Sequence, residues 1–240
     1  MTWGVSISCF PPVDQAVTAL KIDFVSDVAC PWCAVGLFSL KEALRRLDGV
    51  VTADLTFRPF ELNPELPAAG VNHHQHIADK FGMTLEQLKS SSQVLQGRAA
   101  DVGFTINSTA GSRIYNTFDA HRLLHWAKAK GRQQELKQAL LRANFTDNRD
   151  VSDTGELAAI AASVGLDGGE AREVLRSGLH ADEVREEEKL WMSRGIHAVP
   201  GIVINGKWLI SGGQPPDYFE QAMRDIAKAL EAEPGTGSAK

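Results

Sequence analysis

The sequence predicts an α/β fold in which one mixed sheet is built from both ends of the chain and an all-helical domain is inserted between them. Three observations carry this. A strand–helix–strand pattern occupies residues 21–65, a helix-forming stretch with almost no strand signal fills 66–180, and a helix, a hairpin and a last helix occupy 181–233. Ends of type β-α-β and α-β-β-α, separated by helices, read as two halves of one sheet. The 240 residues leave room for a domain with a second one inserted.

The first strand is Lys21-Ile22-Asp23-Phe24-Val25-Ser26, which runs straight into Cys30-Pro31-Trp32-Cys33. Behind the cysteines, Val35, Leu37, Phe38, Leu40, Ala43, Leu44 and Leu47 recur at helical spacing until Asp48-Gly49 stops the helix. Val51, Ala53, Leu55 and Phe57 alternate as a second strand, parallel to the first by the handedness of such crossovers. Helices are then predicted over 73–82, 84–102, 112–130, 132–144, 153–165 and 167–177, with Asp153/Glu156 and Asp167/Glu170 as start signatures. A helix over 181–194 is predicted to bury Val184, Leu190 and Met192. Strands 201–204 and 207–210 flank Asn205-Gly206, a strong hairpin turn, and Pro215-Pro216 opens the last helix. Residues 1–20 read as an extension and 234–240 as a flexible tail.

Composition excludes several classes. A net charge of -5 disfavours nucleic-acid binding, and no apolar run reaches the ~20 residues of a membrane span. Residues 1–20 carry no Lys or Arg, which argues against a signal or transit peptide and places the protein in the cytoplasm. Of the three cysteines, Cys9 reads as an incidental thiol. The C-x-x-C pair points to redox chemistry or metal binding. A structural zinc site wants a second ligand pair, and there is no other cysteine pair. His73, His74 and His76 read as solvated histidines at a helix start, and His121 with His125 lack a third ligand, so neither a metal nor another cofactor is expected.

A cysteine at a helix N-terminus meets unpaired N–H groups and the positive end of the helix dipole, and both favour its thiolate. Cys30 is therefore the expected nucleophile. Cys33, one turn on and on the same face, is placed to resolve a mixed disulfide. Pro31 suits the first helical turn. Trp32 adds no charge, so the pair should oxidise more weakly than one flanked by His. Asp23 and Asp27 flank the motif, and either could take the proton of Cys33, although Asp27 could equally cap the cysteine helix. The expected substrate platform is Val199 and Pro200: a cis-proline facing the cysteines, with Val199 backbone groups pairing to an extended peptide. Pro200 as a plain strand-start proline is the bland alternative.

These motifs, Ser26 to Cys33 with Gly36, Arg58 to Pro64, Asn116 to Leu123, Val199-Pro200 with Ile204 to Lys207, and Ser211 to Pro216, stand in an order that resembles the DsbA-like thioredoxin family, in its FrnE-like cytoplasmic branch. The likeness runs from about residue 21 to 230. It implies a thioredoxin fold with a helical insertion, disulfide oxidoreductase or isomerase activity, Cys30 and Cys33 as the redox pair, and Pro200 as the cis-proline. Gly201 departs from the Thr common in the family, and His197 stands where small residues are usual. Asn63, Asn116, His121 and Arg122 either line a groove between the domains or tie helices together.

The expected substrates are disulfide-containing proteins or small thiols, with glutathione as a co-substrate and a homodimer left open. One competing reading is a glutathione-dependent isomerase of aromatic or polyketide-derived compounds, like 2-hydroxychromene-2-carboxylate isomerase. Such enzymes generally use Ser at the first cysteine position, so two cysteines disfavour it. Another is a non-catalytic binding module.

Overall fold

The computed structural model describes residues 17–67 and 69–232. Cys9, residues 1–16 of the expected extension and the tail from 234 lie outside them. Strand β1 (Thr18–Ser26) and helix α1 (Pro31–Arg46) are followed by β2 (Val51–Pro59). The chain then forms β3 (Val71–Asn72), α2 (His73–Phe81), α3 (Leu85–Ala100), β4 (Arg113–Ile114), α4 (Phe118–Ala129), α5 (Gln133–Phe145), α6 (Thr154–Ser163) and α7 (Gly168–Ser177). It closes with α8 (Ala181–Ser193), β5 (Gly201–Ile204), β6 (Trp208–Ser211) and α9 (Pro216–Ala232).

The four-stranded sheet has the order β2-β1-β5-β6. β1 and β2 are parallel, in register from Thr18 opposite Val51 to Ser26 opposite Pro59. β5 runs antiparallel to β1, with Ile22 opposite Ile204 and Val25 opposite Gly201, and β6 is antiparallel to β5. The central strand β1 is buried along its whole second half, as a strand covered on both faces must be. Ile22 and Phe24 pack into the main core with Leu37 and Leu40 of α1 and Phe219 and Met223 of α9. Val25, on the other face, packs with Trp191 and Ile196. Each such side chain contributes ~1.5–3 kcal/mol on burial. The helices α4 to α7 hold a second core, and Val28, from the loop that leads to the cysteines, is embedded in it.

Local chemistry explains most boundaries. Asp153 and Asp167 cap α6 and α7 by accepting from the N–H groups of Glu156 and Glu170, at 2.8 and 2.7 Å. Asn205 and Gly206 both take positive φ, 51° and 66°, as this two-residue turn requires. Asn205 also accepts from the Lys21 N–H at 2.8 Å, which locks the hairpin to the edge of β1.

Several expectations need correction. β1 begins at Thr18, so Thr18 to Leu20 belong to the sheet and not to an extension. The helical region contains a small antiparallel ladder, β3 with β4, too short to leave a periodic signal. Its strand β4 and the loop after it take 112–117 out of the helix predicted over 112–130. α8 turns Val184, Glu188 and Trp191 inward, whereas Leu190 and Met192 are exposed. The i, i+4, i+7 stripe set by Trp191 decides the face, because the largest apolar side chain gains most from burial.

Candidate active site

The strand β1 delivers the chain to the N-terminus of α1. Cys30 is the N-cap residue, with extended backbone (φ -97°, ψ 110°), and Pro31 is the first helical residue, where its missing N–H costs nothing. The Cys33 N–H donates to the Cys30 carbonyl at 3.0 Å, which winds the first turn and brings the two side chains together. Both are free thiols; Cys30 is 5% exposed and Cys33 0%. Burial pushes the Cys33 thiol well above the usual thiol range, and its hydrogen bond to Cys30 and that neighbour's charge push it further. The positive charge of Lys137 and the Asp27 backbone pull weakly the other way.

The Cys30 thiol faces the Val199 carbonyl, donating to it at 3.6 Å. The Val199–Pro200 bond is cis. The Pro200 carbonyl accepts from the Gly212 N–H at 2.8 Å, so the segment after β6 holds this loop from behind. Pro31 is half-buried and Trp32 is 38% exposed, which leaves the indole at the surface beside Cys30.

Two glycines let the loops meet α1. A Cβ on Gly36 would stand 3.2 Å from Pro200 Cγ, and one on Gly213 would stand 2.8 Å from the Trp32 carbonyl oxygen and 3.2 Å from its ring. The second contact is with backbone that cannot give way. Gly213→Ala is therefore expected to destabilise the fold by about 1–3 kcal/mol through overpacking, measured as a lower denaturation midpoint. A change below about 0.5 kcal/mol, the usual size for an unconstrained surface site, would mean that this loop is not held against the cysteine helix.

Asp27 is buried and saturated with donors. Its Oδ1 accepts from the Ala29 N–H at 3.1 Å and the Thr117 hydroxyl at 2.7 Å, its Oδ2 accepts from the Leu62 N–H at 2.7 Å, and His121 Nε2 stands 3.4 Å away. Burial alone would raise its pKa, but the nearby His121 imidazole, with the Leu62 and Thr117 bonds, outweighs burial and holds it below the ordinary 3.8. Asp27 thus joins the cysteine loop, the end of β2 and the inserted helices. Asp23 lies on the opposite face of β1 from Phe24. Its carboxylate is 2.7 Å from Arg58 Nε, and Arg58 also pairs with Glu187 of α8. The thiol of Cys33 has Cys30, Lys137 and the Asp27 backbone as its electrostatic neighbours, and Asp23 is not among them.

The polar residues named with the motifs act as ties. Arg122, buried, donates to the carbonyls of Val174, Leu175 and Leu179, closing the C-terminal end of α7. Asn116 binds Glu61 and the Pro64 carbonyl. Asn63 accepts from Lys80 at 2.7 Å and lies 3.1 Å from His76. His73, His74 and His76 are half-buried rather than solvated. Burial, with the two neighbouring histidines, lowers His73 to about 4. His125 stacks on His180 with centroids 4.8 Å apart. Among the described residues no cluster of His, Cys, Asp and Glu is arranged to hold a metal ion.

Sequence reasoning passed over Thr117, Gln133, Lys137 and Asn144. Asn144 donates to the Val28 carbonyl at 3.1 Å. The Gln133 side chain accepts from the Phe57 N–H at 2.9 Å and donates to the Phe57 carbonyl at 3.1 Å, standing in for a neighbouring strand along the edge of β2. Lys137 is fully buried one turn further along α5. A signal existed. Positions 133, 136, 137, 140 and 141 form the apolar stripe of α5, and two of them are polar.

A cysteine at a helix start with a second thiol sealed one turn behind it, faced by the cis-proline loop that leads into β5, defines a disulfide oxidoreductase of thioredoxin architecture. Residues 21–224 match the DSBA-like thioredoxin domain, and the chain belongs to that family. It is 33% identical to a probable DsbA oxidoreductase from Streptomyces coelicolor, whose crystal structure superposes with a TM-score of 0.83 over 92% of this chain and 94% of that one. An uncharacterized protein, YwbO of Bacillus subtilis (strain 168), is 28% identical over 210 residues, covering 87% of this chain and 98% of that protein. The cytosolic disulfide reductase DsbM from Pseudomonas aeruginosa, solved with GSH, shares the fold at 16% identity, with a TM-score of 0.61 over 87% of this chain and 99% of its own. No helix among the described residues is long and apolar enough to cross a membrane.

Proposed function

We propose that Cys30 and Cys33 of the Cys-Pro-Trp-Cys motif are the redox pair, exchanging disulfides with protein or small-thiol substrates in a reducing cytoplasm. The observation that carries this is the asymmetry of the two thiols: Cys30 sits at the helix start facing the Val199 carbonyl, and Cys33 is shut away behind it. The Cys30 thiolate attacks one sulfur of a substrate disulfide, a Cys30–substrate bond forms, and the other substrate sulfur leaves as thiolate. Cys33 then attacks the Cys30 sulfur and releases the second substrate thiol, leaving the Cys30–Cys33 disulfide. Val199, held by its cis bond to Pro200, offers its backbone to an extended substrate segment that packs against Pro200, and Pro31 and Trp32 border the same place.

Glutathione is the proposed small-thiol co-substrate, in keeping with a fold shared with a cytosolic disulfide reductase solved with GSH. The uncharged Trp32 supports reductase or isomerase work over strong oxidation. Two thiols here, where a glutathione-dependent isomerase generally places one hydroxyl, support exchange over isomerisation. The test is dithiothreitol-dependent reduction of insulin: the wild type is active and Cys30→Ser is not. A wild type without activity there and in refolding of scrambled ribonuclease would remove protein disulfides from the substrates.

A further inference from the structure

Lys137 is 0% exposed, and its Nζ has no hydrogen-bond partner. A buried, unpaired ammonium costs several kcal/mol, so burial favours the neutral amine, whose lone pair is free to accept a proton. The charged groups acting on it are Cys33 first, then Asp27 and Cys30. The other titratable groups around it are already engaged. Arg58 of β2 and Glu187 of α8, which share a small cavity with Lys137, pair with each other, and Arg58 also with Asp23. His121 of α4 is turned to Asp27, and His125 of α4 lies 3.9 Å from Glu187. Lys128 of α4, also on that cavity, is a cation and can compensate nothing. Asp27 is filled by its own donors. The group left for Lys137 is the cysteine pair.

The amine is held where it is. Gln133 clamps α5 to the Phe57 backbone, and Lys137, one turn on, carries its Nζ 5.9 Å above the Phe57 ring. Because Cys33 is sealed from solvent, its proton needs an internal acceptor before its sulfur can attack. We propose that Lys137, supplied by the inserted helical domain, is the proton partner of Cys33 and takes its proton during resolution of the mixed disulfide. The S–H bond of Cys33 breaks and an N–H bond forms at Lys137 Nζ. The Cys33 sulfur bonds to Cys30 Sγ, the bond from Cys30 to the substrate sulfur breaks, and its electron pair leaves with the substrate thiolate. The substrate disulfide is reduced by two electrons in all and the cysteine pair is oxidised. Lys137 then passes its proton on to the departing thiolate or solvent. Burial lowers Lys137, which favours the unprotonated amine that can accept, and the positive charge it then carries draws the Cys33 thiol down against its own burial.

The proposal rests on Cys30 and Cys33 being the redox pair, and one experiment separates the two claims. In a Cys9→Ser background, one equivalent of 5,5′-dithiobis(2-nitrobenzoate) releases a first thionitrobenzoate when Cys30 attacks and a second when Cys33 resolves. Loss of the first release in Cys30→Ser tests the redox pair itself. In Lys137→Met the first release should stay within two-fold of wild type. The second should slow at least about tenfold at pH 7, the low side of what a positioned proton acceptor contributes, and its midpoint against pH should move up. Lys137→Arg places a permanent charge there that cannot accept a proton and should be slow as well. A second release within two-fold of wild type in Lys137→Met, with an unmoved midpoint, or full rescue by Arg, overturns the proposal. If Lys137→Met does not fold, the lysine amine of the wild type is titrated by nuclear magnetic resonance. Its midpoint should differ between dithiol and disulfide forms, and equal midpoints overturn the proposal.

Discussion

Cys30→Ser is expected to lower disulfide exchange by on the order of 10³-fold or more, as when the nucleophile of a covalent mechanism is removed. A serine hydroxyl at this position keeps the helix start and the packing, since Cys30 makes no side-chain cap. What it lacks is a sulfur, the atom that exchanges with another sulfur of a disulfide. The partner substitution should behave differently. Cys33→Ser leaves the first attack intact and removes the second, so protein accumulates as a Cys30 adduct with its substrate. Fold and thermal midpoint should hardly change in Cys30→Ser, which separates a chemical loss from a structural one. Insulin turnover and mass spectrometry of the trapped adduct read the two outcomes. Turnover by Cys30→Ser at even a tenth of the wild-type rate would move the chemistry away from this cysteine.

The largest structural effect is expected at Asp27. Asp27→Ala removes the acceptor shared by the Ala29 and Leu62 N–H groups and the Thr117 hydroxyl, and takes the nearest carboxylate from the buried His121. Leaving a buried donor without its acceptor costs about 1–3 kcal/mol, and three donors lose theirs here at once. The same carboxylate predicts a pH dependence. Its folded value lies below the ordinary 3.8, so the unfolded chain binds the proton first as pH falls. The stability it contributes is present in full above the unfolded value and is lost as pH drops through the folded one. Denaturation midpoints should fall in wild type below about pH 4, near the unperturbed carboxyl value, and Asp27→Ala should show less of that fall. A variant as stable as wild type, with the same acid slope, would contradict the role assigned to Asp27.

The sheet and the cysteine motif were legible because their signals are local. Alternation in 51–57, the helical period behind Cys33 and the Asn205-Gly206 turn each need only neighbouring residues. What escaped depends on partners distant in the chain. Asp27 could be read as a helix cap or a base, and the side chains that decide its surroundings, Leu62, Thr117 and His121, come from elsewhere. Lys137 and Gln133 sit on the apolar stripe of α5, where a polar residue can be a solvated edge or a buried tie. Only the packing of α5 on β2 tells which. The inward face of α8 was misjudged because Leu190 and Met192 look as apolar as Trp191, and the sheet admits one stripe. The β3–β4 ladder holds two residues a side, below any periodic signal.

The measurement closest to the central claim is equilibration of the protein in glutathione buffers, with peptide mapping of the disulfide that forms. The account predicts one two-electron transition that links Cys30 to Cys33, at a potential near the cytosolic glutathione poise of about -220 to -320 mV. A Cys33 that stays free in fully oxidising glutathione, or a disulfide that joins Cys9 instead, would contradict it.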